Sequence, residues 1–380
     1  MQTKSKFTDN FLKFLFGNDK TPRWIKMLIV LGAIIVSFIL SVIISAIVIK
    51  ENPIAVIGYL FDGAFDRPTK FFFDASILLA FGVAIIPCFK MKYWNMGANG
   101  QFLIACIISM LIMKGMEDFG KEGTFQNIVV IITMLVVSVA ASTVWAQIPA
   151  TFKALFNTNE TLFTLMMNYV AAGLLLFTNI SLSNGNSSTG QINRASHVGW
   201  LITDNTNLAY WIVIITVMVI TINVYIFMNL TKHGFETIVL GDSFKTAKYV
   251  SMDTKKIINR ATVISGIVTG ILGFLLVSAI NQSATNSYAT LSFNSILIGW
   301  MSNFSPLIMI LLSLFLSFIT NGMNEVTSIG GLGSSDLVNL LFGLIFFTIL
   351  ASEYFIKYRI NKSKHIEKII EKTKPKGVNE

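Results

Sequence analysis

"MLIVLGAIIVSFILSVIISAIVI", residues 27–49, is a run of 23 residues without a charged side chain. A helix needs about 20 apolar residues to cross roughly 30 Å of hydrocarbon, so this run is long enough to span a bilayer. It is too long for the apolar core of a secretory signal peptide, and no small-residue cleavage site follows it. We therefore expect a retained membrane span.

The composition of the whole chain agrees with a membrane protein. Of the 380 residues, 53% are hydrophobic and 13% are charged, whereas soluble proteins carry about 25% charged residues. Nine further apolar segments lie near residues 73–89, 94–113, 127–152, 161–179, 209–230, 259–280, 289–302, 305–321 and 336–356. We predict an all-α, polytopic integral membrane protein with about ten transmembrane helices over residues 27–356. The segment 289–302 is short for a membrane span, and Pro306 follows it closely, so the chain could kink or turn back there. Hydropathy alone is therefore compatible with eight to ten spans.

The distribution of basic residues predicts the orientation, because cytoplasmic segments of membrane proteins carry an excess of Lys and Arg. Of the 29 Lys and Arg residues, 23 fall in alternate connections of the ten-span model, namely residues 1–26, residues 90–92, Lys153, residues 231–260 and residues 357–380. Both termini are therefore predicted to be cytoplasmic, with a basic tail at 357–380. This topology accounts for the net charge of +9, so no nucleic-acid partner is expected.

Motifs for covalent chemistry or metal binding are not found in the sequence. Cys88 and Cys106 lie in apolar segments without a second thiol or His at ligand spacing, which argues against a disulfide or a metal site. There is no phosphate-binding loop, nucleophile elbow or pair of carboxylates. We expect the chain not to be an enzyme and to bind no cofactor, so that any energy from ATP comes from another chain.

Three amides interrupt the apolar pattern where the third predicted span begins. The stretch "KMKYWNMGANGQFLIAC", residues 90–106, contains Asn95, Asn99 and Gln101 interleaved with Gly97 and Gly100. In a regular helix Asn95 and Asn99 share one face, and Gln101 lies on another. Unpaired polar groups in hydrocarbon cost several kcal/mol, so this region is enclosed by protein or water, or is broken at the glycines. The amides either line a path through the protein or tie helices together.

A second polar stripe follows in "NETLFTLMMNYV", residues 159–170. Glu160, Thr164 and Asn168 recur at every fourth position, and apolar residues cover the other faces. Residues four apart share one face of a helix, so we expect this stripe to face the interior of a bundle. Glu160 also fits the start of a helix, where the dipole favours a carboxylate.

The largest predicted inner loop, residues 231–260, contains "LGDSFKTAKYVSM" at residues 240–252. Asp242 or Ser243 is a candidate N-cap of a short helix, in which Phe244, Ala247 and Val250 are predicted to share one face. The candidate contact residues of this helix are Asp242, Phe244, Lys245, Ala247, Lys248 and Val250. Such a helix suits contact with a soluble motor, or alternatively a position on anionic lipid. Asp253 or Thr254 is predicted to cap the span that follows.

Four ordered motifs resemble bacterial ABC-transporter permeases for nucleosides and simple sugars. "WNMGANGQ", residues 94–101, resembles the F-N-I-G-A-E-G-Q motif of that group, with Asn99 in place of Glu. "NETLFTLMMNYVA" resembles its N-E-x-x-x-T-[IL]-M-x-N-Y-[IV]-A stretch. The inner loop near residues 240–266 and the segment "IGWMSNFSPLIMILLSLFLSFITNG", residues 298–322, resemble two further stretches of the group. The similarity extends from about residue 70 to residue 355.

The resemblance implies the permease subunit of an ATP-driven importer in the bacterial cell membrane, with residues 27–356 as the permease domain. It implies a second homologous permease, ATPase subunits that hold ATP and magnesium, and an extracellular substrate-binding lipoprotein as partners. Residues 242–252 then resemble the helix that couples to the ATPase, and the substrate is a nucleoside or, alternatively, a simple sugar such as ribose or galactose. The polar residues expected along the substrate path are Asn95, Asn99, Gln101, Glu160, Thr164 and Asn168.

Two questions stay open at this point. An ion-coupled secondary transporter is the less favoured alternative, because such proteins bury ionisable groups near the middle of the membrane. Here Asp74, Glu160, Glu325 and Glu353 lie near the ends of predicted spans. The Ser-, Asn- and Gly-rich outer segment near residues 181–207 either faces the binding protein or is a solvated loop.

Overall fold

A computed structural model describes residues 16–17, 23–183, 185–203 and 205–330, together with short pieces at 339–340, 343–344, 346–348, 351 and 359–360. The helices are α1 Arg23–Ile49, α2 Pro53–Phe65, α3 Pro68–Lys90, α4 Ala98–Gly115, α5 Glu117–Lys121, α6 Thr124–Phe156, α7 Glu160–Leu182, α8 Thr206–Leu230, α9 Lys232–Asp242, α10 Phe244–Tyr249, α11 Thr254–Leu275, α12 Ala289–Met301 and α13 Pro306–Ile329. Helix α11 continues as a π-helix, Leu276–Asn281, and strands β1 Phe16–Gly17 and β2 Arg359–Ile360 form a short antiparallel pair.

The all-α polytopic fold is confirmed, whereas the number of ten spans is not. Within the described residues, seven helices are long and apolar enough to cross a membrane, and an eighth is added if α1 and α2 count as one span bent by 105°. Helix α12 has only 13 residues, and at 1.5 Å per residue it covers about 20 Å, less than the hydrocarbon thickness. The tenth predicted span and the predicted terminal segments 1–26 and 357–380 lie largely outside the described residues.

The chain divides into two compact units, a terminal unit of residues 1–61 and 322–380 and a central unit of residues 62–321. In the terminal unit, Ser37, Ser41 and Ser45 form a buried stripe along α1. The Ser45 hydroxyl contacts Met323 Sδ at 3.6 Å. A Cβ on Gly322 would lie 2.6 Å from Leu60 O. Small residues thus let these helices approach closely.

The core of the central unit consists of α3, α4 and α11, whose side chains are buried along most of their length. Helix α3 packs against α8, α11 and α12, while α4 and α11 pack against each other and against α6. Helices α6, α7 and α8 are buried on one stripe and expose Ile, Val, Leu and Phe side chains elsewhere. Exposed apolar faces on long helices are suited to lipid or to neighbouring membrane helices.

Glycines on α11 set how closely it packs against its neighbours. A Cβ added at Gly266 would lie 2.5 Å from Thr143 Cα, and one at Gly270 would lie 2.7 Å from Val139 Cα. Both neighbouring atoms belong to the backbone of α6, so a side chain cannot be accommodated without moving the helices apart. Helices α6 and α11 therefore pack backbone to backbone where Gly266 and Gly270 face Thr143 and Val139.

Residues 192–201 of the outer segment are docked on the helices rather than solvated, and we call the described part of the segment the outer cap. Asn193 Nδ2 donates to Met113 O at 2.7 Å, and Gly199 N donates to Asn127 Oδ1 at 2.8 Å. Leu201 N donates to Ser278 O at 2.8 Å, and Ile192, Val198 and Trp200 are buried. The cap therefore rests on the ends of α4, α6 and the π-helix.

We expect Gly266→Ala to destabilise the central unit by about 1–3 kcal/mol, because the added methyl group meets the α6 backbone. The measurement is the midpoint temperature of unfolding in detergent. Gly173→Ala is the matched control, since it also lies within a helix and a Cβ there meets no atom within 4 Å. An unchanged midpoint for Gly266→Ala would contradict the close α6–α11 contact.

Candidate functional site

The chain is not helical where the sequence predicted the start of the third span. Helix α4 begins at Ala98, and residues 93–97 connect it to the end of α3 without regular structure. The predicted sharing of one helix face by Asn95 and Asn99 is therefore wrong, because Asn95 precedes the helix. Tyr93, Asn95 and Gly97 are nevertheless buried, so their backbone groups need partners inside the protein.

Side chains of α7 and of the segment itself provide these partners. Met96 N donates to Thr164 Oγ1 at 3.1 Å, and Gly97 N donates to Asn95 Oδ1 at 3.0 Å. The amide of Asn168 is used at both ends, because its Oδ1 accepts from Gly100 N at 2.8 Å and its Nδ2 donates to Met96 O at 2.8 Å. We call Asn95, Thr164 and Asn168 the α4 brace.

A second layer of polar groups joins the brace to α11. Asn95 Nδ2 donates to Ser265 Oγ at 3.0 Å, and Ser265 Oγ donates to Gln101 Oε1 at 3.0 Å. Gln101 Nε2 reaches back to Asn95 Oδ1 at 3.4 Å, and Thr269 Oγ1 donates to Gln101 Oε1 at 3.3 Å. Every one of these residues is buried. The network thus ties α4, α7 and α11 at one level of the bundle.

The structure brings together four of the six residues predicted along the substrate path, namely Asn95, Gln101, Thr164 and Asn168. Thr164 and Asn168 are 1% and 5% exposed, whereas Leu162 and Met166 are both 54% exposed, so the stripe faces the interior as expected. The described contacts are with protein groups, which supports a bracing role. Contact of these side chains with substrate stays a prediction.

Asn99 and Glu160 lie apart from this cluster. Asn99 Nδ2 donates to Asn286 Oδ1 at 3.3 Å, and Asn286 is not part of the brace. Glu160 is the first residue of α7, after the N-cap Asn159, and its carboxylate pairs with Lys153 Nζ at 2.8 Å. Glu160 therefore places a negative charge at the start of α7 and forms an ion pair with Lys153 of α6.

A cavity of about 680 Å³ opens beside this ion pair, at the predicted cytoplasmic end of the central unit. Its lining residues are Met91, Lys92, Tyr93, Lys153, Ala154, Asn157, Glu160, Leu240, Gly241, Asp242, Thr254, Lys255 and Ile258. Its rim is charged, and the buried Tyr93 hydroxyl has no hydrogen-bond partner among the described residues. Within the part of the chain that is described, no cluster of His, Cys, Asp and Glu is placed to hold a metal ion.

Two helices, α9 and α10, form the inner loop, of which the sequence predicted only the second. Thr231 caps α9, where its hydroxyl accepts from Gly234 N at 3.2 Å. Thr is a favoured N-cap residue, so Thr231 is the sequence signal from which this helix could have been predicted. Ser243 rather than Asp242 caps α10, and Asp253 rather than Thr254 caps α11, each being one of the two predicted candidates. A Cβ on Gly241 would clash with the Lys90 carbonyl oxygen. The end of α9 therefore lies directly against the end of α3.

The common face predicted for Phe244, Ala247 and Val250 is not observed. Ala247 is fully buried, whereas Val250 is 58% exposed. The reason is that α10 ends at Tyr249, and Ser251 turns into the left-handed region with φ of 57°. Tyr249 is 91% exposed, and Asp242 and Lys245 are also exposed. The side chains of Phe244 and Lys248 lie outside the described residues.

The α4 brace gives a prediction for Asn168→Leu, which leaves Gly100 N and Met96 O without partners. Because each unsatisfied buried group costs about 1–3 kcal/mol, we expect a clear fall in the unfolding midpoint in detergent. Asn223→Leu is the matched control, since Asn223 is exposed and donates only to Val219 O within its own helix. A variant of unchanged stability with weaker substrate binding would contradict the bracing role and favour a place on the substrate path.

Comparison with known proteins identifies the family. The family model described as branched-chain amino acid transport system / permease component matches residues 68–350. The nucleoside ABC transporter permease protein NupB of Lactococcus lactis is 26% identical over 95% of this chain and 99% of that protein. The guanosine ABC transporter permease protein NupP of Bacillus subtilis is 23% identical over 74% of this chain and 80% of that protein.

A third relative is the glucose ABC transporter permease protein TsgB13 of Haloferax volcanii, which is 20% identical over 89% of this chain and 91% of that protein. No solved structure matches the chain. The family match covers the brace, the inner loop and all of the helices from α3 to α13. It confirms the resemblance drawn from the sequence motifs. The chain therefore belongs to the family of ABC-transporter permease components and is a membrane-embedded permease subunit.

Proposed function

We propose that the chain is the permease subunit of an ATP-driven nucleoside importer in a bacterial cell membrane. The observation that carries this proposal is the end-to-end match with the nucleoside permease of Lactococcus lactis. The match with the guanosine permease of Bacillus subtilis supports the same substrate class. The glucose permease relative favours a simple sugar as the second candidate.

The proposal includes partners for this chain. A second homologous permease would complete the path through the membrane, and an extracellular lipoprotein would deliver the substrate. ATPase subunits would bind ATP and magnesium and perform the hydrolysis. This chain would form and break no covalent bond, and its contribution would be to move between inward-open and outward-open arrangements.

We further propose that the inner loop receives the motion of the ATPase. Asp242, Lys245, Tyr249 and Val250 are exposed around α10, and the charged cavity lies directly beside them. Gly241 contacts the end of α3 at Lys90, which lies three residues before Tyr93, the first residue of the segment held by the α4 brace. A displacement of α9 would therefore reach the brace through backbone contact rather than through flexible side chains.

The function is tested by uptake in cells with and without this chain. We expect removal of the chain to lower the uptake of labelled guanosine and other nucleosides at least about tenfold, while ribose and glucose uptake stay unchanged. Loss of sugar uptake alone would favour the sugar permease. Gradient-driven uptake by the purified chain without an ATPase would contradict the ABC importer.

The inner-loop surface is tested by Tyr249→Ala. A large exposed aromatic side chain commonly dominates a small interface, so its loss costs about 2 kcal/mol or more in binding. We expect this variant to retain much less ATPase subunit on purification of the complex, with an unchanged unfolding midpoint. Lys245→Ala, on the same helix, is the control and is expected to have a smaller effect.

Two outcomes would count against this surface. Equal ATPase recovery for Tyr249→Ala and the unmodified chain would remove Tyr249 from the interface. Cross-linking that places α10 only in contact with lipid would show that the inner loop is not part of an ATPase interface. Ala247→Arg is unsuitable as a test, because Ala247 is fully buried and the substitution would disrupt the loop itself.

A further inference from the structure

A second polar cavity lies at the other end of α7 from Glu160, which is the predicted outer end of the central unit. Its volume is about 380 Å³, within the range of roughly 300–1,000 Å³ that small-molecule sites occupy. It is bounded by Ala172, Leu175, Leu176, Asn179, Ser187, Ser188, Ala284, Thr285, Asn286 and Ser287. These residues come from α7, the outer cap and the connection between the π-helix and α12.

The lining is neutral throughout. It combines amide and hydroxyl groups of Asn and Ser or Thr residues with aliphatic side chains of α7. A lining of this kind suits a small uncharged solute that has both hydroxyl groups and an apolar face. It does not suit a phosphate ester, because phosphate groups are normally held by Arg or Lys, and burying an unpaired charge is costly.

Two buried amide oxygens mark where hydrogen-bond donors are needed. Asn179 is 5% exposed, and its Nδ2 donates to Ser187 O at 3.1 Å and Ala284 O at 3.4 Å. Its Oδ1 is buried and accepts no hydrogen bond from the described residues. Nine buried side-chain polar atoms of the described residues lack a partner, and Asn179 Oδ1 is the one whose residue lines this cavity. It calls for a donor from water or a ligand.

Asn99 repeats this arrangement on the neighbouring helix. It is 4% exposed, its Nδ2 donates to the cavity residue Asn286 at 3.3 Å, and its Oδ1 also lacks a donor among the described residues. Asn99 directly precedes Gly100, whose N–H is held by Asn168 of the brace. Asn99 does not line the cavity itself, but its hydrogen bond to Asn286 connects the lining to the α4 brace through adjacent residues of α4.

We propose that this outer cavity is an entry subsite that binds the ribose of a neutral nucleoside and excludes nucleotides. The hydroxyl groups of ribose supply hydrogen-bond donors, and the aliphatic side chains of α7 contact its apolar face. Asn179, Asn286 and Thr285 are the specificity-determining residues of the site. This inference rests on the proposed function and adds a location and a chemical criterion to it.

The first experiment tests occupancy without relying on transport. The single substitution Ser287→Cys places a thiol at an exposed cavity position, and the native Cys88 and Cys106 are buried and should react slowly. We expect a membrane-impermeant thiol reagent to label this variant from outside in the assembled transporter, and guanosine to slow labelling at least about threefold. Guanosine monophosphate at the same concentration should give no protection. Thr206→Cys, exposed at the same predicted end but outside the cavity, is the control.

The second experiment measures the concentration dependence of uptake by the complete transporter in proteoliposomes. Asn286→Ala and Thr285→Val should each raise the KM for guanosine about three- to tenfold, as expected for a lost hydrogen bond to a neutral ligand. Asn207→Ala, an exposed Asn at the predicted outer end of α8, should leave the KM unchanged. Asn286→Lys should allow guanosine monophosphate to inhibit uptake.

The outcomes separate this inference from the proposed function. Normal nucleoside uptake with no protection of Ser287→Cys and an unchanged KM for Asn286→Ala would overturn the subsite and leave the importer intact. Equal protection by guanosine and its monophosphate would overturn the exclusion of nucleotides. Labelling of Ser287→Cys only from the cytoplasmic side would overturn an entry site. Absence of nucleoside uptake by the unmodified transporter would instead overturn the proposed function.

Discussion

The backbone between α3 and α4 has to find hydrogen-bond partners without help from water. A helix start leaves N–H groups unpaired, and inside a membrane bundle each such group costs several kcal/mol. Thr164 and Asn168 satisfy these groups from α7, and Asn95 does so from within the segment. This explains why amides stand at the start of an apolar helix. It also explains why α7 carries a polar stripe at the same depth.

Two glycines allow close helix contacts near these hydrogen-bonded backbone groups. A Cβ on Gly100 would lie 3.1 Å from Asn168 Cα, so only glycine lets the Asn168 amide reach the backbone of α4. Gly241 plays the corresponding part between α9 and the end of α3. These two contacts form a continuous route from the inner loop to the brace. The contact at Gly241 joins backbone to backbone, and the contact at Gly100 joins the backbone to the buried Asn168 amide. Both are tightly packed, as the proposed coupling to an ATPase requires.

The membrane fold and the inward orientation of the Thr164–Asn168 stripe follow from hydropathy and helical periodicity, and both could be predicted from the sequence. The cap of α11 is equally local, and Asp253 is one of its two predicted candidates. A break at the glycines was one of the predicted alternatives, and α4 does begin directly after Gly97. The partners of residues 94–97 could not be predicted, because they are α7 side chains about 70 positions away in the chain. The helix that contains Ala247 ends at Tyr249, one residue before Val250, so the apolar spacing did not predict that Ala247 is buried while Val250 is exposed. The sequence grouped Asn99 with the brace residues, and only its contact with Asn286 in the structure shows that it lies apart from them.

Single-residue hydrogen exchange tests the brace most directly. Thr164→Val is nearly isosteric and removes the hydroxyl that accepts from Met96 N, leaving that N–H only the tight i→i−2 contact with Trp94 O at 3.1 Å. The brace predicts that Met96 N–H exchanges slowly in the unmodified protein although it lies outside a helix. In the variant its exchange should become about tenfold faster or more, corresponding to about 1–3 kcal/mol for the lost hydrogen bond, while Gly100 N–H, held by Asn168, keeps its rate. Equal exchange of Met96 N–H in both proteins would contradict the brace.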